Sequence, residues 1–243
     1  MTCPVYVGTS GWHYSHWRGL FYPADLPTRD WISFYAQRCE TVEINSSFYR
    51  LPSPEALATW VDETPPGFRF SAKAIRYLTH MKKLKDPQPA LATFLARIEL
   101  LDAKLGPILF QLPPHWRCDL ARLESFLAIL PGAHRFAFEL RDSSWQTPAV
   151  LVLLARYHAA ACIFDLAGVQ SPIAFTTDFA YVRLHGPAGA YQGYYTHDAL
   201  LEWAQRLNAW RARLSAGIYV YFDNDQAGYA VRNALELRAL IGQ

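Results

Sequence analysis

Runs rich in Val, Ile, Phe and Tyr alternate with segments of helical period from one end of the chain to the other. No Ser/Gly-rich linker, charge block or low-complexity tract interrupts them. Eight strand-like runs stand out, at 4–8, 41–46, 68–73, 107–112, 135–141, 161–166, 180–185 and 217–223. Between them lie helical stripes. Leu91, Phe94, Leu95, Ile98, Leu101 and Leu105 share one face, as do Leu200, Trp203, Leu207, Trp210 and Leu214. Ser53-Pro54 and Thr147-Pro148 set a cap before a first-turn proline, while Asp119 and Thr196 cap without one. The stretch 167–178 holds Gly, Ser, Pro and Thr but no helical stripe. The pattern therefore predicts an α/β protein, a (β/α)8 TIM barrel with an irregular or missing helix after strand 6, and a doubly wound open sheet as the alternative. Without a boundary signal, 1–243 reads as a single domain.

Alternation within each run divides inward from outward positions. The inward set comprises Glu43 and Asn45, Arg69, Ser71 and Lys73, Gln111, Glu139 and Arg141, Asp165, Arg183 and His185, and Tyr219, Tyr221 and Asp223. A lumen serving only as a core holds branched aliphatic residues. Four carboxylates and four cations here argue for a ligand site at the carboxyl ends of the strands. The competing reading is a self-satisfied lattice in which every charge is paired internally, although buried ion pairs contribute less to stability than apolar packing.

Loops beyond the strand ends add hydroxyls, amides and rings: Gly8-Thr9-Ser10-Gly11-Trp12, 45–50, 111–116, and a Gly- and Tyr-rich stretch at 186–195 that suits a mobile flap or a plain surface loop. Trp12, Trp116 and Trp145 are suited either to stacking on a ligand face or to plugging the rim.

Composition narrows the options. The chain has 243 residues, 51% hydrophobic and 18% charged, so it carries a large core and is not disordered. A formal charge of +2 gives no global drive toward polyanions, so any such site is a local patch. The one basic run is Arg69, Lys73, Arg76, His80, Lys82, Lys83 and Lys85. Four scattered cysteines offer no zinc or redox spacing. No segment is long and apolar enough for a signal peptide or a membrane span, and a cytoplasmic address with no membrane partner is the expectation. Glu43, Glu139, Asp165, His185 and Asp223 are of metal-ligand type, but the lumen cations and the absence of ligand spacing leave no metal assigned, and any cofactor stays open.

Several strings together resemble the YecE-like family: Gly8-Thr-Ser-Gly-Trp12, Asn45-Ser-Ser-Phe-Tyr49, Lys73 with Thr79-His80, Phe110-Gln-Leu-Pro-Pro114, Phe138-Glu-Leu-Arg141 with Ser144-Trp145, Arg183-Leu-His-Gly186, and Phe222-Asp-Asn-Asp225. The resemblance covers nearly the whole chain. It implies a TIM-barrel fold and a site location, and it carries no catalytic assignment, the family having no established activity. The family's eighth strand tends to end in Asn-Asn where this chain has Asp223-Asn224, which separates Asp223 from a shared role.

The expectation is an enzyme, a hydrolase or lyase, acting on a small phosphate-bearing or polyhydroxylated (sugar-like) ligand at the mouth. Its proton-handling candidates are Glu43, Glu139, His185 and Asp165, with His185 and Asp165 as the favoured pair. Its ligand-binding candidates are Ser10, Trp12, Asn45, Lys73, Gln111, Arg141, Arg183, Tyr221 and Asn224. The alternative is a non-catalytic nucleic-acid or nucleotide binding protein that uses the basic run.

Overall fold

The structure, a computed structural model, describes residues 3–242. In chain order its elements are β1 (Val5–Thr9), α1 (Trp31–Ala36), β2 (Thr41–Ile44), α2 (Pro54–Asp62), β3 (Arg69–Lys73), α3 (Gln88–Ile98), β4 (Leu105–Gln111), α4 (Leu120–Leu127) and β5 (Phe136–Glu139). Then follow α5 (Pro148–Arg156), β6 (Ala160–Ala161), β7 (Ile163–Leu166), β8 (Val169–Gln170), β9 (Ala180–Leu184), α6 (His197–Trp210), β10 (Ile218–Phe222) and α7 (Tyr229–Ile241). The four cap residues act as the sequence places them: Ser53, Asp119, Thr147 and Thr196 accept hydrogen bonds from the N–H groups of Ala56, Arg122, Val150 and Ala199. The stripe over 91–105 is divided differently. The α3 helix stops at Ile98, Leu101 sits in a 3-10 turn, and Asp102 at φ 48° breaks the helical run before Leu105 opens β4.

The strands do not close into the expected (β/α)8 TIM barrel, nor do they form one doubly wound sheet. They make two five-stranded sheets, ordered β1-β10-β9-β7-β8 and β2-β3-β4-β5-β6. The second is wholly parallel, and the first is parallel apart from the β7/β8 pair. Residues 167–179 after β7 carry no helix.

Side chains explain why the ladder stops at both seams. Between β1 and β2, the Tyr35 hydroxyl accepts from the Thr9 N–H at 3.0 Å and lies 3.1 Å from the Thr41 carbonyl. It takes groups that a ladder would pair, and among the described residues the isolated bridge Ser10↔Glu43 is the backbone pairing that crosses there. At the other seam the run read as one strand over 161–166 splits at Cys162 into β6 and β7. Thr176 Oγ1 accepts from the Ala161 N–H at 2.9 Å and donates to the Ala159 carbonyl at 2.6 Å, while Ser171 Oγ accepts from the Phe164 N–H at 2.9 Å. Buried backbone groups are thus satisfied without a continuous sheet.

The outer faces are apolar. On the first sheet α6 and α7 bury Leu200, Trp203, Leu207, Ala234 and Leu237 against Val182, Leu184, Ile218 and Val220; α3, α4 and α5 cover the second sheet with a similar cluster. Burial of each Leu or Phe side chain contributes about 1.5–3 kcal/mol. The inner faces meet through hydroxyls: Tyr221 bonds Thr41 and Ser71, each at 2.7 Å, and Tyr181 donates to Glu43 at 2.6 Å. Leu109, Ala137, Cys162, Phe179 and Tyr219 fill this interior toward the strand N-termini, so the polar groups are left at the opposite end. Among the described residues no helix is long and apolar enough to cross a membrane.

Candidate functional site

Arg183 is the hub. Register places it beside Tyr221 of β10, facing the interior, where it is fully buried. Its guanidinium meets Glu43 edge-on, with Nη2 2.7 Å from Oε1 and Nε 3.1 Å from Oε2. Nη1 donates to Glu139 Oε2 at 2.7 Å, and Nη2 also reaches Asp223 Oδ2 at 2.9 Å and Ser10 Oγ at 3.2 Å. Glu43 accepts further bonds from Ser10 and Tyr181, and Glu139 from Gln111 and Arg141. These charges are affordable inside the protein because nearly every lone pair and N–H finds a partner. Burial works to raise the Glu139 carboxyl, but Arg141, Arg183 and His185 hold it well below the usual carboxylate range. Asp223 is likewise lowered: burial opposes, and Arg183 with the His185 hydrogen bond prevails.

His185 is enclosed. Its Nδ1 lies 3.1 Å from Asp223 Oδ2, and its Nε2 lies 3.1 Å from Glu139 Oε1, 3.2 Å from Arg141 Nη2 and 3.3 Å from Arg183 Nη1. The expected His185–Asp165 side-chain pair is not formed. Register aligns Asp165 with Leu184 and Phe164 with Arg183, so Asp165 faces away from the interior, where its Oδ2 meets Gln170 at 3.4 Å. Burial raises the Asp165 carboxyl there.

What meets solvent is different from the hub. A cavity of about 450 Å³ is lined by Asn45, Tyr49, Lys73, Tyr191, Asp223 and Gln226, among others. Lys73, 7% exposed, holds its ammonium over the Phe48 ring at 4.5 Å, and that ammonium has no hydrogen-bond or ion-pair partner among the described residues. Burial, reinforced by Arg183, lowers its ammonium to about 8 despite Glu43, Asp223 and Glu139. Tyr191 roofs the site: its hydroxyl accepts from Arg141 Nη1 at 3.0 Å, and its ring stands edge-on to His185 at 5.5 Å. Its loop is pinned by Asn224, whose Nδ2 donates to the Gly193 carbonyl at 2.9 Å and to Asn233 Oδ1 at 3.0 Å. Gly186 turns the loop at φ 118°, where a Cβ would meet the Gln192 carbonyl oxygen at 2.1 Å. Through Asn45 and Tyr49 the cavity adjoins a groove of about 850 Å³ that includes Trp12, Tyr14 and Trp60.

The structure thus brings together Glu43, Glu139, His185, Ser10, Gln111, Arg141 and Arg183 in the network, and Lys73 and Asn45 at the cavity. Trp12 lies in the neighbouring groove, edge-on to Trp60 at 4.8 Å. Two ligand-binding candidates are placed otherwise, and the choice left open for two tryptophans is made. Tyr221 is fully buried beneath the site and ties the sheets, Asn224 anchors the loop, and Trp116 and Trp145 pack on each other at 5.2 Å as a plug. Arg69 stays at the start of β3, donating to the Pro66 and Phe68 carbonyls. Of the basic run, His80 packs edge-on to Phe48 at 4.9 Å and is lowered to about 4 by burial and by Lys73, Arg76 and Arg141. Arg76, Lys83 and Lys85 are exposed.

Sequence reasoning left Tyr49 and Tyr191 without a named role and set Asp223 aside. Alternation already put Asp223 inward with Tyr219 and Tyr221, and that signal outweighs the departure from the family pattern. Among the described residues no cluster of three or more His, Cys, Asp or Glu is arranged to hold a metal ion.

A family model described as "Protein of unknown function DUF72" matches residues 6–243. The UPF0759 protein YecE of Escherichia coli is 29% identical over 138 residues, 56% of this chain and 48% of YecE; the chain therefore spans about half the length of that relative. The UPF0759 protein YunF of Bacillus subtilis is 25% identical over 281 residues, covering 98% of this chain and 94% of YunF. A crystal structure of a DUF72 family protein from Thermotoga maritima superposes with a TM-score of 0.87 at 27% identity, covering 99% of this chain and 100% of that one. One from Enterococcus faecalis reaches 0.80 at 20% identity, covering 98% of this chain and 96% of that one, and supports the fold alone.

Proposed function

The chain belongs to the DUF72 family, which includes YecE-like proteins and is described as of unknown function, and on the geometry of its own site we propose that it is an enzyme of the lyase or hydrolase class acting on a small phosphate-bearing or polyhydroxylated ligand. The observation that carries this reading is the cavity at the C-terminal strand ends, where the partnerless Lys73 ammonium and the Asp223 carboxylate face one small volume above a rigid charge network. Lys73 and the nearby Arg141 supply positive potential for an anion, Asn45 and Tyr49 supply polar contacts, and Asp223 handles the proton. Glu43, Glu139, Arg183 and His185 position these groups. The pairing of Glu43 with Glu139 as acid and base loses support, because both are locked on Arg183 and are fully buried.

The test is binding of inorganic phosphate and glycerol phosphate, followed by thermal shift in low salt, on the wild type and on Lys73→Met. Saturable stabilisation below about 10 mM that the variant loses is the expected result; no shift in either protein refutes the site. The exposed cations Arg76, Lys83 and Lys85 beside Tyr77 favour a second reading, nucleic-acid or nucleotide binding without turnover. Oligonucleotide affinity that is flat between low and physiological salt eliminates it.

A further inference from the structure

The chain has five lysines, and two of them are buried. They are held in opposite ways. Lys104, 9% exposed, donates to the Thr64 carbonyl at 2.6 Å and to Thr64 Oγ1 at 3.0 Å, and also to the Val61 carbonyl, so its ammonium is fully solvated by protein. Lys73 is as deeply placed, yet its ammonium stands over the face of Phe48 and has no hydrogen-bond or ion-pair partner among the described residues. The Lys73 stem is buried while its ammonium, lacking protein acceptors, is left to the cavity, an arrangement that packing alone does not require. Moreover, Lys73 lines an open cavity together with a carboxylate, Asp223, which Arg183 and His185 fix in place. The arrangement pairs a nucleophilic nitrogen with a proton carrier at the edge of a ligand-sized space.

We infer that Lys73 is a covalent catalytic residue that condenses with the carbonyl carbon of a small anionic aldehyde or ketone to form an imine. This rests on the reading of the cavity as an anion-binding enzyme site and names the bond that the site makes. The step balances without any further reagent. Asp223, through water in the cavity it shares with Lys73, takes a proton from the ammonium, the freed amine adds to the carbonyl carbon as the carbonyl oxygen becomes a hydroxyl, and that hydroxyl leaves as water with the proton returned by the same route. Ammonium and carbonyl thus give iminium and one water. The positive iminium then withdraws electrons from the adjoining carbon, which is the chemistry a lyase needs to break a neighbouring bond. The lowered ammonium supports the same step. An amine titrating at about 8 is neutral in roughly one molecule in ten at pH 7, against roughly one in three thousand for an ordinary lysine.

The experiment is reductive trapping on the full chain. The protein is incubated at pH 7 with glyoxylate, an anionic aldehyde, then treated with borohydride, and adducts are mapped by peptide mass. The other four lysines serve as internal controls. The expected result is one adduct per chain on Lys73, formed at least tenfold faster than on Lys82, Lys83 or Lys85, absent from Lys73→Arg and retained in Lys83→Arg, with melting temperatures confirming that both variants fold. Inorganic phosphate is included as a competitor and slows the trapping. Adducts spread over the surface lysines, or Lys73 trapped no faster than they are, overturn the inference. If phosphate still stabilises the wild type while Lys73 goes untrapped, the imine fails and the anion-binding site stands; if neither occurs, both fail.

Discussion

Removal of the Arg183 cation tests whether the network is the scaffold of the site. In Arg183→Met the buried carboxylates of Glu43 and Glu139 lose the guanidinium that contacts each of them at 2.7 Å, and Asp223 loses a bond of 2.9 Å. Breaking a buried pair by deleting one partner costs about 3–5 kcal/mol, because an uncompensated charge remains inside. For a chain of this size that corresponds to a fall in melting temperature of roughly 6–20 °C. Calorimetry at pH 7 measures it directly.

The pH dependence gives a sharper check. In the wild type, Glu139 and Asp223 are held below their ordinary values, so their contribution is present above those values and is lost as the pH falls through the lowered ones. In the variant the stranded negative charge is relieved by protons, so the deficit shrinks as the pH falls from 7 toward 5. Adding Glu43→Gln to Arg183→Met removes one of the stranded charges and recovers at least about 1 kcal/mol at pH 7. A gap between wild type and Arg183→Met that stays constant from pH 7 to 5, or a double variant that is simply worse, refutes the reasoning.

Two further outcomes follow from single positions. Gly186→Ala drives a Cβ into the Gln192 carbonyl oxygen in a loop that turns at φ 118°. It is expected to cost about 1–3 kcal/mol and to speed limited proteolysis within 186–195; melting and cleavage rates equal to wild type contradict the close approach. His80, lowered to about 4 from 6.5, refuses a proton that the unfolded chain accepts, so stability falls as the pH drops from 6.5 to 4. Urea titrations of His80→Gln should show a shallower fall over that window, and identical slopes count against the cause given for His80.

Much of the site was legible from alternation alone, because a strand with one face on a hydrophobic layer must send its charges the other way. Glu43, Glu139, Arg183 and Asp223 follow that rule, and the caps at Ser53, Asp119, Thr147 and Thr196 follow from local chemistry. Asp165 breaks it. In the run 161–166 the interior position belongs to Phe164, and polarity is a misleading guide where a carboxylate packs behind the sheet against Gln170. The barrel expectation failed for a related reason. Eight alternating strands specify a layered α/β order, but whether neighbouring ladders join depends on particular hydroxyls, those of Tyr35, Thr176 and Ser171, and no periodicity reports them. Nor does spacing show that Lys73 lacks a partner, since that depends on what fails to come near it in space.

The Tyr35 hydroxyl at the β1/β2 seam has a broader implication. Where two strands are zipped by main-chain bonds, their separation is fixed by the peptide and no substitution alters it much. Where they are joined by one phenol beside a single bridge, the spacing is written in a side chain, and loss of that hydroxyl in Tyr35→Phe leaves the Thr9 N–H and the Thr41 carbonyl to find each other or go unpaired.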